Sequence, residues 1–143
     1  PPVFTVKKDS VSIGSIARFS EEGREFHGKA PGSVMTVSFK LGGMEFLALN
    51  GGPQFKFSEA ISFQVFCDTQ AEIDHYWNRL TEGGQEQPCG WLKDRFGVSW
   101  QVVPTALPGL LGGGDAARAK RVSTEMFKQK KPDLAALERA AQG

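Results

Sequence analysis

The chain has 143 residues, of which 40% are hydrophobic, and a formal net charge of +1. This length suits one domain with its own core, and the composition excludes a chain that is disordered throughout. The balanced charge gives no support for nucleic-acid binding, and no apolar run is long enough to span a membrane. Two cysteines are too few for a disulfide scaffold, so we expect reduced thiols. Together these features lead us to expect a cytoplasmic protein.

The first part of the chain predicts strands separated by a polar loop. The clearest strand is "VMTVSFKL", in which apolar and polar residues alternate. Two glycines at 42–43 predict a tight hairpin turn after it. Residues 1–8 have room for a short strand, but not for a strand and a helix. The predicted strands are residues 11–20, 34–41 and 44–50, with a loop at 21–33.

The middle of the chain predicts a strand, a helix and three more strands. Thr69 and Glu72 have the spacing of a capping box, so a helix is expected over residues 70–82. An apolar stripe along this helix consists of Ile73, Tyr76, Trp77 and Leu80. The predicted strands lie at 61–67, around 86–89, at 90–94 and at 98–104. This order suggests a repeated βαβββ module whose first copy lacks its opening strand and helix.

The last part of the chain predicts two helices that pack on a sheet. We interpret the glycine-rich residues 109–115 as a flexible connection. Asp115 caps a predicted helix over 115–128, and Asp133 caps another over 133–141. Their apolar stripes are Val122, Met126 and Phe127 in the first helix, and Leu134, Leu137 and Ala141 in the second.

Two runs of the sequence resemble a known family. They are "LNGGPQFKFSEAISFQVFCDTQAEIDHYWNRL" and "CGWLKDRFGVSWQVVP". Both are similar to the PhnB-like family, whose members often carry the label demethylubiquinone methyltransferase. That family belongs to the vicinal oxygen chelate superfamily, with glyoxalase I, bleomycin-resistance proteins and extradiol dioxygenases. The resemblance covers roughly residues 9–141.

The resemblance implies an α+β fold in which paired βαβββ modules form a cup-shaped, mostly antiparallel sheet. Ligands of such proteins lie in the cup, and members are commonly homodimers. The expected single domain then consists of an incomplete first module at about 9–52, a second module at 59–104 and a helical tail at 105–143.

The resemblance also indicates where metal ligands would lie. In metal-dependent relatives each module supplies one ligand from its first strand and a carboxylate from its last. Three of those positions fall on Ser62, Asn50 and Gln101, and the fourth, in the first strand of the first module, belongs to its missing opening segment. None of the three residues carries a charge or is a strong ligand for zinc, iron or manganese. His27 and His75 are not spaced as a pair. We therefore expect no catalytic metal and no cofactor.

The same positions predict a site for a neutral ligand. Asn50, Ser62, Gln64 and Gln101 would be hydrogen-bonding groups around an otherwise apolar cavity. Alternatively, Asn50 and Gln101 only satisfy backbone groups at strand ends.

Three further residues are candidates for the same site. Trp91 is either a cavity wall or part of the core, Phe55 lies in a loop that would cover the site, and Cys89 is either a core thiol or a reactive one.

The function expected is therefore metal-independent binding of a small aromatic or apolar ligand. The alternative is an enzyme of the same superfamily with a lyase-, isomerase- or dioxygenase-like reaction. Methyltransferase activity is not favoured, because the only glycine cluster of the kind that a methyl-donor site needs, at 109–115, does not follow a strand. The chain also lacks the alternating strand–helix pattern of such a site.

Overall fold

The computed structural model describes residues 11–143, so the strand considered for residues 1–8 lies outside the described part. The described residues form two compact units, 11–56 and 57–143. The first contains β1 (Val11–Arg18), α1 (Arg24–His27), β2 (Val34–Leu41) and β3 (Met44–Leu49). The second contains β4 (Ser62–Cys67), α2 (Gln70–Thr81), β5 (Gln85–Glu86), β6 (Trp91–Lys93), β7 (Ser99–Pro104), α3 (Leu107–Leu111), α4 (Ala116–Met126) and α5 (Leu134–Gln142).

The first unit is an antiparallel sheet of three strands in the order β1-β2-β3. Gly42 and Gly43 both have positive φ, 58° and 83°, as the predicted two-residue hairpin turn requires. On one face of the sheet, Phe39 lies opposite Phe46, and their rings stack with centroids 5.2 Å apart. The loop predicted before β2 contains the single helical turn α1.

The second unit contains a sheet of four strands in the order β4-β7-β6-β5. Strand β4 pairs with β7 in parallel, and the other pairs are antiparallel. A parallel pair needs a long crossover, and α2 lies within it. The predicted order of strand, helix and three strands is confirmed.

The strand predicted around residues 86–89 is shorter than expected. Strand β5 ends at Glu86, and Pro88 and Cys89 form a turn in which Cys89 has a φ of 60°. Pro88 has no backbone N–H to donate, so it cannot continue the ladder. The N–H of Cys89 instead donates to the carbonyl of Gln129, at 2.8 Å.

Helix α2 covers one face of this sheet. The side chain of Thr69 accepts the N–H of Glu72 at 3.2 Å, which confirms the predicted cap. Ile73, Trp77 and Leu80 are buried, and the indole of Trp77 donates to Glu86 at 2.9 Å. Helix α2 packs against β6 and β7, whose apolar side chains on this face, Leu92, Trp100 and Val102, are also buried.

The turn between β6 and β7 is organised by Asp94. One carboxylate oxygen accepts the N–H groups of Phe96 and Val98, at 2.9 and 3.0 Å. The other oxygen accepts the indole N–H of Trp100 at 3.1 Å. Gly97 has a φ of 84°, a conformation that side chains other than glycine rarely adopt. Asp94 therefore links the turn to the aromatic side chain of the following strand.

The tail differs from its prediction at two points. Helix α3 is formed by residues 107–111. The last three of these belong to the segment 109–115 that was expected to be a flexible connection. Phe127, expected on the apolar stripe of α4, is 69% exposed and lies just after the last helical residue, Met126. Both predicted caps are confirmed: Asp115 accepts the N–H of Arg118, and Asp133 accepts that of Ala136. The α+β class with C-terminal helices is thus observed.

No helix within residues 11–143 combines the length and the apolar character needed to cross a bilayer.

Candidate functional site

A row of polar and aromatic side chains crosses the second sheet on the face away from α2. Gln64 of β4 lies beside Gln101 of β7, and Trp91 of β6 lies on the other side of Gln101. Side chains at paired positions project to the same face of a sheet, so these three are neighbours. Trp100 and Val102, the immediate neighbours of Gln101 in β7, project to the opposite face and are buried.

The carboxamide of Gln101 is held by side chains of the neighbouring strand. Its Nε2 donates to Oγ of Ser62 at 2.8 Å, and its Oε1 accepts Nε2 of Gln64 at 3.3 Å. A carboxamide has two donor hydrogens and two acceptor lone pairs, so each glutamine retains capacity for a further bond. The two carboxamides are thus fixed in orientation while keeping a donor and an acceptor for another molecule.

These side chains border a cavity of about 270 Å³ in the second unit. Four of the residues predicted for the site line it: Gln64, Cys89, Trp91 and Gln101. None of the side chains that line the cavity is charged. The cavity therefore suits an uncharged ligand better than an ion, because burial of an unpaired charge is costly.

The tail forms the opposite wall of the cavity. This wall is apolar apart from Gln129, and its residues are Leu107, Leu111, Met126, Gln129, Pro132 and Leu137. None of these residues was among those predicted for the site. The apolar stripes of the two longer helices were a signal that they cover something, whereas Leu107 precedes a proline and Leu111 precedes a glycine, and they gave none.

The remaining predicted residues lie outside this cavity. Ser62 adjoins it only through the bond to Gln101. Asn50 belongs to the first unit, where its side chain donates to the carbonyl of Val34 at 3.1 Å, as in the strand-end alternative. Phe55 is in the same unit and is 95% exposed. The participation of Asn50 and Phe55 in a ligand site stays a prediction.

The residues at the predicted metal positions do not fit a metal centre. Ser62 and Gln101 are bonded to each other, and amide and hydroxyl groups are weak ligands for transition metals. Across residues 11–143, no three His, Cys, Asp or Glu side chains are grouped closely enough to hold a metal ion.

The two thiols have different surroundings. Cys67 is fully buried, and this burial, with the nearby Glu72 and Asp68 carboxylates, raises the pKa of its thiol to about 11. Cys67 therefore stays protonated at neutral pH. Cys89 is half-buried and lines the cavity, so its thiol is the one within reach of a bound molecule.

A charged cluster next to the row is internally paired. Lys93 Nζ lies 2.7 Å from Glu59, and Gln87 donates to the same carboxylate at 3.2 Å. The Lys93 hydrogen bond, together with a backbone N–H and Gln87, lowers the pKa of Glu59 to about 2. Lys93 is thus neutralised by Glu59.

Comparisons with known proteins show a matching family and several similar solved structures. The family model described as 3-demethylubiquinone-9 3-methyltransferase matches residues 5–103. The PhnB protein from Bacillus cereus is 32% identical, with a TM-score of 0.57, over 68% of this chain and 81% of that one. Protein PA1353 from Pseudomonas aeruginosa is 22% identical, with a TM-score of 0.47, over 65% and 77% of the two chains. No curated protein matches the chain.

Proposed function

The chain belongs to the family described as 3-demethylubiquinone-9 3-methyltransferase, and from this premise we propose that it binds a small uncharged molecule in the cavity between its second sheet and its tail. The observation that carries the proposal is the pair of bonded glutamines, Gln64 and Gln101, in an otherwise largely apolar cavity. Pockets of this composition bind through apolar contact and use a few polar groups to orient the ligand. The proposal includes no metal.

The size of the cavity restricts the ligand. A closed cavity of about 150 Å³ holds one benzene molecule. A cavity of about 270 Å³ therefore has room for a bicyclic aromatic molecule. Trp91 offers an aromatic surface beside Gln101, and aromatic pairs gain energy beyond their apolar contact. We propose a neutral, roughly bicyclic aromatic ligand with one hydroxyl or carbonyl group directed at the two glutamines.

Calorimetric titration with 2-naphthol and 2-naphthoate tests this proposal. The two compounds share the ring system, but the first is neutral at pH 7 and the second is charged. We expect 2-naphthol to bind at least tenfold more tightly, because the carboxylate would be buried without a charged partner. Equal affinity for both compounds, or no binding of 2-naphthol, would contradict the proposal.

A pair of variants locates the binding. Gln101→Leu removes the hydrogen-bonding group and should weaken 2-naphthol roughly three- to tenfold, the usual effect of losing one hydrogen bond. Gln85→Leu is the matched control, since Gln85 is an exposed residue of the same sheet outside the cavity. An unchanged affinity in the Gln101 variant would place the ligand elsewhere.

A second candidate is an enzyme of the same superfamily that acts through Cys89. The thiol of Cys89 is the nucleophilic side chain that lines the cavity. If ligands occupy this space, 2-naphthol should slow the alkylation of Cys89 by iodoacetamide. Methyl transfer is outside the proposal, because within residues 11–143 the glycine cluster 112–114 follows α3 and not a strand.

We further propose that the fold is that of the vicinal oxygen chelate superfamily, with 57–143 carrying a complete module and 11–56 an incomplete one. The strand–helix–strand–strand–strand order of the second unit supports this reading. So does the first unit, whose three antiparallel strands correspond in number and order to the last three strands of the second.

We also propose that two copies of the chain associate. One face of the first sheet carries exposed apolar side chains, among them Ile13, which is 75% exposed, and Val11, Ile16 and Met44. Apolar surface of this kind is typical of an interface. Sedimentation equilibrium at micromolar concentration should give the mass of a dimer, and Ile13→Asp should shift it towards that of a monomer. A monomer mass for the unaltered chain would contradict this proposal.

A further inference from the structure

The tail wall of the cavity is attached to the second sheet at the turn before β6. The backbone N–H groups of Cys89 and Gly90 donate to the carbonyls of Gln129 and Lys130, both at 2.8 Å. These bonds hold the segment between α4 and α5 against the sheet. Pro132, two residues further along, is buried and lines the cavity.

A second attachment comes from helix α2, through Gln70. Nε2 of Gln70 donates to the carbonyl of Pro132 at 3.1 Å, and its Oε1 accepts the N–H of Leu134 at 2.9 Å. The same Nε2 donates to Asp74 at 3.2 Å, and Asp74 pairs with Lys131 at 2.7 Å. One side chain of α2 thus binds the tail on both sides of Asp133.

Gln70 is not among the residues that line the cavity, whereas Pro132 and Leu137 are. It bonds to Pro132 itself and to Leu134, three residues before the buried Leu137. Movement of the Pro132–Leu134 part of this wall away from the sheet therefore breaks the bonds made by Gln70.

We propose that Gln70 is a positioning residue that latches the tail over the ligand and so sets how long the ligand stays bound. The inference rests on the proposed function. It predicts that removal of the Gln70 side chain loosens the wall locally, without unfolding the sheet. Because the wall contacts a bound ligand on the side opposite the sheet, its loosening increases the dissociation rate without slowing association.

Stopped-flow measurement of 2-naphthol dissociation tests the latch. Gln70→Ala should release 2-naphthol roughly tenfold faster, the effect expected for the loss of two hydrogen bonds. Gln70→Glu retains the acceptor for Leu134 but loses the donor to Pro132, so its rate should lie between those of wild type and Gln70→Ala. Asn78→Ala is the matched control, because Asn78 is exposed on the same helix. Release from Gln70→Ala at the wild-type rate would overturn the inference.

Hydrogen exchange provides a readout that does not depend on the ligand. In Gln70→Ala the amides of Cys89 and Gly90, which bond to the tail, should exchange at least fivefold faster. The amides of β7 should keep their wild-type rates. Equal acceleration in both places would indicate general destabilisation and would refute the latch.

Failure of the wild type to bind 2-naphthol would reject the proposed ligand site, while the exchange rates would still test the attachment of the tail. If Gln70→Ala does not fold, the same comparison is made with Gln70→Glu.

Discussion

Replacement of Trp77 by alanine tests whether α2 forms the core of the second unit. Trp77 is 1% exposed and lies between Ile73 and Leu80 on the buried side of the helix. Truncation of a buried tryptophan removes its transfer free energy and leaves a cavity, which together cost about 3–5 kcal/mol. The indole bond to Glu86 adds little, because Glu86 is exposed and can bond to water instead.

The decrease in the free energy of unfolding should be measured by urea denaturation, with circular dichroism as the signal. In a chain of this length about 4 kcal/mol corresponds to a fall in Tm on the order of 10–15 °C. Phe96→Ala is the matched control, since Phe96 is an aromatic residue that is 77% exposed, and its truncation should change the free energy of unfolding by less than about 0.5 kcal/mol. A cost below about 1 kcal/mol for Trp77→Ala would show that α2 does not pack on the sheet as described.

Two further predictions concern the turn before β6 and the charged cluster. Gly90 has a φ of 80°, and an added Cβ would lie 2.6 Å from the carbonyl oxygen of Val102, so Gly90→Ala should destabilise the protein by at least about 2 kcal/mol in urea unfolding. Gly97 has a φ of 84° and no atom near the added Cβ, so Gly97→Ala reports the cost of the backbone conformation alone and should destabilise the protein less than Gly90→Ala. Equal losses of stability in the two variants would argue against a clash at Gly90. The pKa of Glu59 is lowered from 4.5 to about 2 by Lys93, so its contribution to stability is present above about pH 4.5 and is lost as the pH falls towards 2. Glu59→Gln should therefore make acid unfolding less steep in that window, and an unchanged profile would refute this role.

Local signals in the sequence were sufficient for most of the elements. The spacing of Thr69 and Glu72 located the start of α2, and the glycine pair at 42–43 located the first hairpin. These features act within a few residues of one another, so they can be read without knowledge of the fold.

The far wall of the site could not be predicted in this way. Helix α3 contains a proline and a glycine, which oppose helix formation, and its leucines become half-buried only through packing of the tail. The turn at Cys89 likewise depends on Gln129, a partner 40 residues away in sequence. Interactions at such separation leave no periodic pattern in a single sequence.

The role of Gln101 lies between these cases. Its alternation with Trp100 and Val102 predicted that it would project away from α2, which the structure confirms. The sequence also suggested Ser62 and Gln64 as members of the same site, but not that both would bond to its carboxamide. That arrangement depends on the parallel pairing of β4 with β7. The helix between the two strands implies that they pair in parallel, but only the structure gives the register of the pair.

A crystal structure of the chain with 2-naphthol is the most direct test of the ligand site. We expect density for the two rings beside Trp91, between the sheet and the tail, with the hydroxyl oxygen within about 3 Å of the carboxamide of Gln101 or Gln64, the ordinary length of a hydrogen bond. Density for 2-naphthol at another place on the molecule, or an empty cavity at a concentration that saturates binding in solution, would contradict the assignment of the cavity as the binding site.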